Sequence, residues 1–184
     1  MDLRDAEDAL ESIVVSEEEI AQRIEQMGEE ISRDYEGKDL LLVGVLRGAI
    51  MVMADLSRKI HIPVVMDWMA VSSYGASTKS SGVVRIIKDL TEDVNGRDVL
   101  IVEDVIDSGL TLSWLQANLR SRGATSVRIA TIVRKPAAAK IDVKADYVGF
   151  DIPNDFVVGY GLDYAEQYRH LPFIAKLAPA VYGG

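Results

Sequence analysis

The feature that most limits what this chain can fold into is the segment DVLIVEDV, residues 98–105. Val99 to Val102 are consecutive apolar residues with no polar alternation, the pattern of a strand covered on both faces. Residues 110–122 follow as a helix ending at Gly123. LLLVGVL (Leu40–Leu46) has the same two-sided character and precedes a second helical stretch, Gly48 to Ile60. Strands buried on both faces and alternating with helices predict an α/β fold, a mostly parallel sheet flanked by helices. In such sheets ligands gather beyond the carboxyl ends of the strands.

The flanking segments fit this plan. Ser16 and Glu19 form the S-x-x-E pattern of a capping box, and Ile20, Ile24, Met27 and Ile31 recur at helical spacing up to Gly37. Val64–Val71, Val83–Leu90 and Ser126–Lys135 read as further strands, the last stopped by Pro136. Asn95-Gly96 marks a turn. SSYGASTKSSG (residues 72–82) is too small and polar to pack a core and reads as a lid-like loop. No repeat or shift in composition divides the 184 residues, so residues 1–184 are expected to form a single domain.

Charge and composition narrow the function classes. A formal net charge of −9 argues against nucleic acid or an anionic membrane as partner, because both require a basic surface. With no cysteine there are no disulfides, thiolate nucleophiles or thiolate metal sites. The longest apolar region, Leu40 to Ala54, is interrupted by Arg47 and falls short of the ~18 residues that span a bilayer. The acidic start, MDLRDAEDALE, is unlike a signal peptide. A soluble cytoplasmic protein is expected.

The buried run 98–105 ends in Glu103, Asp104 and Asp107, followed by Ser108-Gly109-Leu110-Thr111. Three carboxylates within five residues repel one another, which a divalent cation or a ligand rich in hydroxyl groups would relieve. The next residues offer hydroxyls and backbone N–H groups at a helix N-terminus, a natural anion site. A ligand carrying a sugar, a phosphate and Mg²⁺ would use both halves. Neither a GxxxxGK[ST] loop nor a GxGxxG continuation of Gly159-Tyr160-Gly161 occurs, so a nucleoside triphosphatase or dinucleotide oxidoreductase has no support.

VEDVIDSGLT (102–111), together with VGVLRGA (43–49), SSYG (72–75), RKP (134–136) and YVGFDIPNDFVVGYGLDY (147–164), closely resembles the type I phosphoribosyltransferase family and its hypoxanthine-guanine branch. The resemblance runs from about Leu40 to Arg169. It implies a twisted, mostly parallel core sheet over about residues 36–150, with a small hood built from the N- and C-terminal segments. The implied reaction is Mg²⁺-dependent displacement of pyrophosphate from phosphoribosyl pyrophosphate by hypoxanthine or guanine, giving IMP or GMP. Carried over residue by residue, Glu103 and Asp104 would hold the ribose hydroxyls and metal, and Asp107 would accept the purine N7 proton. Ser108, Gly109 and Thr111, with the backbone between them, would cradle the sugar 5′-phosphate, and Val105, Ile106, Asp107 and Leu110 would belong to the same phosphoribosyl pyrophosphate site. Lys135 would donate to the purine O6, Phe156 would stack on the base, and the Val157 backbone would read its edge. Asp163 would complete a second metal site, and Arg169 would pair with pyrophosphate. Leu46, Arg47 and Gly48 would form the pyrophosphate loop, with a cis peptide bond ahead of position 47. The family often has lysine there, and arginine keeps the charge. Ser73 and Tyr74 would belong to a loop closing over the reacting centre. The resemblance also implies a homodimer or homotetramer.

Two other readings use the same turn: a nucleotide- and RNA-binding regulator, and a catalytically idle sensor of phosphoribosyl pyrophosphate. The first needs a basic face that no Lys/Arg run supplies. The second has no need of Asp107, Lys135, Asp163 and the 72–82 loop together. His61 and His170 match no ligand spacing, Trp114 reads as helix-face packing, and Met51, Met53, Met66 and Met69 read as core filler.

Overall fold

The computed structural model describes residues 9–73 and 84–183. Ser16 opens the first helix, α1 (Glu17–Asp34): its hydroxyl accepts from the Glu19 amide and the Glu19 carboxylate accepts from the Ser16 amide. This reciprocal cap satisfies two amides that the helix leaves without partners. Ile20, Ile24, Met27 and Ile31 form the buried stripe of α1, as their spacing requires.

A six-stranded sheet runs in the order β4-β3-β2-β5-β6-β7. Its members are β2 (Leu40–Leu46), β3 (Val64–Ser73), β4 (Val84–Lys88), β5 (Asp98–Ile106), β6 (Ser126–Arg134) and β7 (Tyr147–Asp151). All neighbours pair in parallel except β4, an antiparallel edge strand on β3. The unalternating apolar runs now have their cause. Leu40 and Leu42 of β2, with Leu100 and Val102 of β5, belong to the core under α1 and α2 (Ile50–Ser57). Leu41, Val43 and Val45, with Val99 and Ile101, belong to the core under α3 (Leu110–Ser121) on the other face. Each fully buried leucine contributes roughly 1.5–3 kcal/mol of transfer free energy, so both faces stabilise the same strands.

The second helix is shorter than the stretch 48–60, because residues 47–49 form a turn and Ala49 is its N-cap. A separate three-stranded antiparallel sheet, β1-β9-β8, joins the two ends of the chain: β1 (Leu10–Val15) pairs with β9 (Ile174–Leu177), which pairs with β8 (Val157–Val158). The chain closes on a single turn of helix, α4 (Pro179–Tyr182). Trp114 packs against the second core, and Met53 and Met69 are fully buried. Met66 departs from its expected role: it is 41% exposed on β3. His61 and His170 are exposed. No described helix is long and apolar enough to cross a membrane.

Candidate active site

The strand order reverses between β2 and β5. From β2 the chain steps outward to β3, whereas from β5 it steps the other way to β6 and β7. A crevice at the carboxyl ends is expected at such a switch point. Here it is flanked by Leu46-Arg47-Gly48 at the end of β2 and by Glu103 to Ile106 at the end of β5. The Leu46–Arg47 peptide bond is cis, as the family resemblance implied. The two segments touch: a Cβ on Gly48 would fall 1.7 Å from Asp104 Oδ2, so the carboxylate keeps this position only while residue 48 has no side chain. Gly161 closes the third side, with its Cβ position 2.0 Å from the Gly48 carbonyl oxygen.

A cavity of about 250 Å³ occupies the crevice, lined chiefly by Leu46 and by Glu103 to Gly109. Beside it lies a second cavity of about 230 Å³, which shares Ile106 and Asp107 and adds Lys135. The amide of Lys135 donates to the Ile106 carbonyl at 2.9 Å, and this backbone bond sets the lysine beside the acidic turn. Asp107 is exposed at the junction of the two cavities. A larger groove of about 700 Å³ between α1 and α2 involves Glu25, Asp55, Arg58, Lys59 and Tyr160, but shares no residue with the acidic turn.

Gly109 is the N-cap of α3, at φ +79°, where a side chain would also crowd the Ile141 carbonyl at 2.8 Å. No side chain caps this helix, although the Ser108 hydroxyl accepts a long bond of 3.4 Å from the Leu110 amide. The first-turn amides of Leu110, Thr111 and Leu112 have no intrahelical acceptor and carry the positive end of the helix dipole, which suits a phosphate.

Burial is the main cause that pushes the Glu103 carboxyl well above its ordinary range, with the neighbouring Asp104 charge adding to it. Burial also raises Asp104, opposed by a shared hydrogen bond with Glu103, the Val105 amide at 2.7 Å and the Arg169 charge. Two adjacent carboxyl groups driven upward together are a hard-oxygen donor set that a divalent cation would stabilise in its ionised form, so they fit Mg²⁺. Asp163 does not join them. Among the described residues no three acids or histidines cluster as a metal site. Asp163 Oδ1 instead lies 2.9 Å from the Arg169 guanidinium, and its Oδ2 accepts from the Glu166 amide at 2.9 Å.

The small sheet positions the aromatic side of the site. The Phe156 carbonyl accepts from the Leu177 amide at 2.9 Å, and Val157 of β8 is buried against β9. The Phe156 ring is 38% exposed. It stacks on Tyr182, with centroids 4.9 Å apart and 23° between planes, and meets Tyr164 edge-on at 5.7 Å. The Tyr164 hydroxyl donates to the Val181 carbonyl at 3.3 Å, which ties the C-terminal turn to the same cluster. Sequence reasoning did not find Tyr182; an aromatic residue in a short tail gave no signal of its partner. It also missed Glu166, which reaches both Arg47 and Arg169. Ser73 ends β3, while Tyr74 and most of the 72–82 loop lie outside the described residues.

The model of the phosphoribosyl transferase domain matches residues 12–165. The chain is 57% identical over 179 residues to the hypoxanthine-guanine phosphoribosyltransferase of Mycobacterium tuberculosis, with 94% of this chain and 89% of that protein covered. It is 54% identical over 173 residues to the hypoxanthine-guanine phosphoribosyltransferase of Bacillus subtilis, covering 94% and 96%. Among solved structures, a hypoxanthine phosphoribosyltransferase of Staphylococcus aureus superposes with a TM-score of 0.95 at 43% identity, covering 98% of each chain.

Proposed function

The chain belongs to the phosphoribosyl transferase family, and from that premise we propose that it is a purine-salvage enzyme. It transfers the phosphoribosyl group of phosphoribosyl pyrophosphate to hypoxanthine or guanine, giving IMP or GMP and pyrophosphate. The observation that carries this reading is the meeting of Gly48 with Asp104 at the switch point of the sheet. A loop fit for pyrophosphate, an acidic pair fit for ribose and cation, and a helix N-terminus fit for phosphate then face one crevice.

In this reading the first-turn amides of α3, with Ser108 and Thr111, hold the 5′-phosphate and fix the ribose over the acidic turn. Glu103 and Asp104 hold the ribose hydroxyls and Mg²⁺, with Asp163 serving a second ion. The bound ion supplies charge neutralisation at the leaving pyrophosphate. Arg47 and Arg169 pair with that pyrophosphate. Lys135, beside the turn, donates to the purine O6, and Phe156 supplies the stacking face. Asp107 stands where the two cavities meet, so it can take the N7 proton as N9 attacks C1, and its charge favours the cationic character developing there. The enzyme works as a single domain, core plus hood, in the cytoplasm as a homodimer or homotetramer.

The test mixes the protein with Mg²⁺, phosphoribosyl pyrophosphate and, separately, hypoxanthine, guanine, xanthine, adenine and uracil, and follows absorbance. Turnover of hypoxanthine or guanine is expected; turnover of uracil alone, or of no base, overturns the reading. Asp107→Asn keeps the shape but removes the proton acceptor, and should lower kcat by roughly 10²–10⁴-fold. A kcat close to that of the unmodified enzyme would refute the assignment of Asp107.

A further inference from the structure

Arg47 and Arg169 lie 122 positions apart in the chain, yet one side chain reaches both. Glu166 Oε2 accepts from Arg47 Nη1 at 2.5 Å and from Arg169 Nη2 at 3.4 Å, while its Oε1 stands 3.5 Å from the same Nη2. Arg169 is otherwise held in place: Nη1 donates to the Gly161 carbonyl at 2.6 Å, Nη2 meets Asp163, and Nε has no acceptor among the described residues. Arg47, by contrast, is 72% exposed and forms only the Glu166 ion pair among the described residues. Glu166 itself is 60% exposed and sits at φ +65°, between Ala165 and Tyr168, which also have positive φ. The backbone therefore presents this carboxylate outward, toward the two guanidinium groups, from a conformation that side chains seldom adopt.

We propose that Glu166 is an internal competitor for the pyrophosphate subsite. This inference rests on the assignment of Arg47 and Arg169 to pyrophosphate. The Glu166 carboxylate bridges the two cations. Pyrophosphate must displace it on binding, and it returns as pyrophosphate departs. Guanidinium groups recognise carboxylate and phosphate oxygens by the same donor geometry, so both anions cannot use these N–H groups fully at once. An ion pair this exposed is weak, so displacement costs substrate affinity little. It also leaves the cations partly neutralised once product has gone, which favours release over retention.

Glu166→Gln is the informative substitution: it keeps the side-chain length and avoids placing alanine at positive φ, but removes the charge. The Michaelis constant for phosphoribosyl pyrophosphate and the inhibition constant of pyrophosphate should each fall about two- to five-fold, the affinity equivalent of one exposed ion pair. The Michaelis constant for hypoxanthine should stay unchanged. If both pyrophosphate-dependent constants stay the same or rise, the competitor role is refuted and Glu166 merely braces the loop. Should the Gln variant melt early, Glu166→Asp, which keeps the charge but withdraws it by one methylene, must lower both constants in the same direction for the proposal to stand. Arg47→Ala separates the two levels. If it leaves the constant for phosphoribosyl pyrophosphate untouched, the subsite assignment itself fails; if it raises that constant while Glu166→Gln does nothing, only the competitor role fails.

Discussion

Gly48→Ala adds a single methyl group at the point where the loop after β2 meets the acidic end of β5. An ideal Cβ there would lie 1.7 Å from Asp104 Oδ2 and 2.4 Å from Asp104 Cγ, against a floor of 3.0 Å for real Cβ contacts. The carboxylate or the loop must therefore give way by at least 1.3 Å. The clash is with the end of a side chain and not with backbone, so the Asp104 carboxyl can swing aside at modest cost to the fold, about 1–3 kcal/mol for forced repacking. For a site that must place reacting groups precisely, a displacement of about 1 Å costs roughly 10²-fold in rate, or about 2.7 kcal/mol. Steady-state assays with hypoxanthine and phosphoribosyl pyrophosphate should show kcat/KM reduced by about 100-fold, with a near-native circular dichroism spectrum and a melting temperature lower by a few degrees. Reducing the side chain of Asp104 should relieve the clash without restoring activity, so Gly48→Ala combined with Asp104→Ala should melt higher than Gly48→Ala alone. If Gly48→Ala retained activity within about threefold of the unmodified enzyme, the claim that this contact sets the position of a working carboxylate would be wrong.

Two further perturbations probe the aromatic platform and the pH response. Tyr182→Ala removes the ring stacked 4.9 Å from Phe156; aromatic pairs contribute about 0.5–1.5 kcal/mol beyond area burial, so the Michaelis constant for hypoxanthine should rise about two- to tenfold while that for phosphoribosyl pyrophosphate holds, and a uniform effect on both would refute the buttress role. The carboxylate of Asp67 is buried, which alone would raise its pKa, but it accepts from the amides of Glu92, Trp68 and Thr91 at 2.7–2.8 Å and faces Lys88, and the net result is a lowered value. A carboxyl depressed on folding stabilises above its unfolded pKa of about 3.9 and loses that contribution as pH falls through the folded value. Asp67→Asn, with one acceptor oxygen in place of two, should therefore cost about 1–3 kcal/mol at pH 7. Denaturant titrations should find the gap between the two proteins narrowing only below about pH 4, and a gap of constant size down to pH 2 would exclude this origin.

The sequence reading succeeded where structure is decided locally and faltered where it depends on distant pairing. The covered strands β2 and β5, the capped helix α1 and the helix stop at Gly123 each announce themselves within about ten residues, because burial on two faces, the capping box and a left-handed C-terminal glycine have short-range signatures. β1 has no such signature. LESIVV follows an acidic segment and pairs as a strand with β9, whose partner residues lie 159 to 167 positions later. The same holds for the site. Glu103, Asp104 and Asp107 could be singled out because repelling charges at a strand end are locally odd. Glu166 could not, since a glutamate three residues before Arg169 looks like an ordinary exposed pair.

What turns Glu166 into part of the site is the placement of Arg47 by a different strand. The β2–β5 switch point brings Arg47 to the loop that carries Arg169, and the close approaches at Gly48 and Gly161 hold the two loops in register. Local chemistry thus nominates the groups that do the chemistry, while topology decides which charges must compete for the same partner. That division explains why the acids of the turn are visible in a ten-residue window and the carboxylate that bridges Arg47 and Arg169 is visible only in three dimensions. It also predicts where other silent residues of the site lie: on the loop 159–169, which approaches the loop after β2 where Gly161 meets the Gly48 carbonyl.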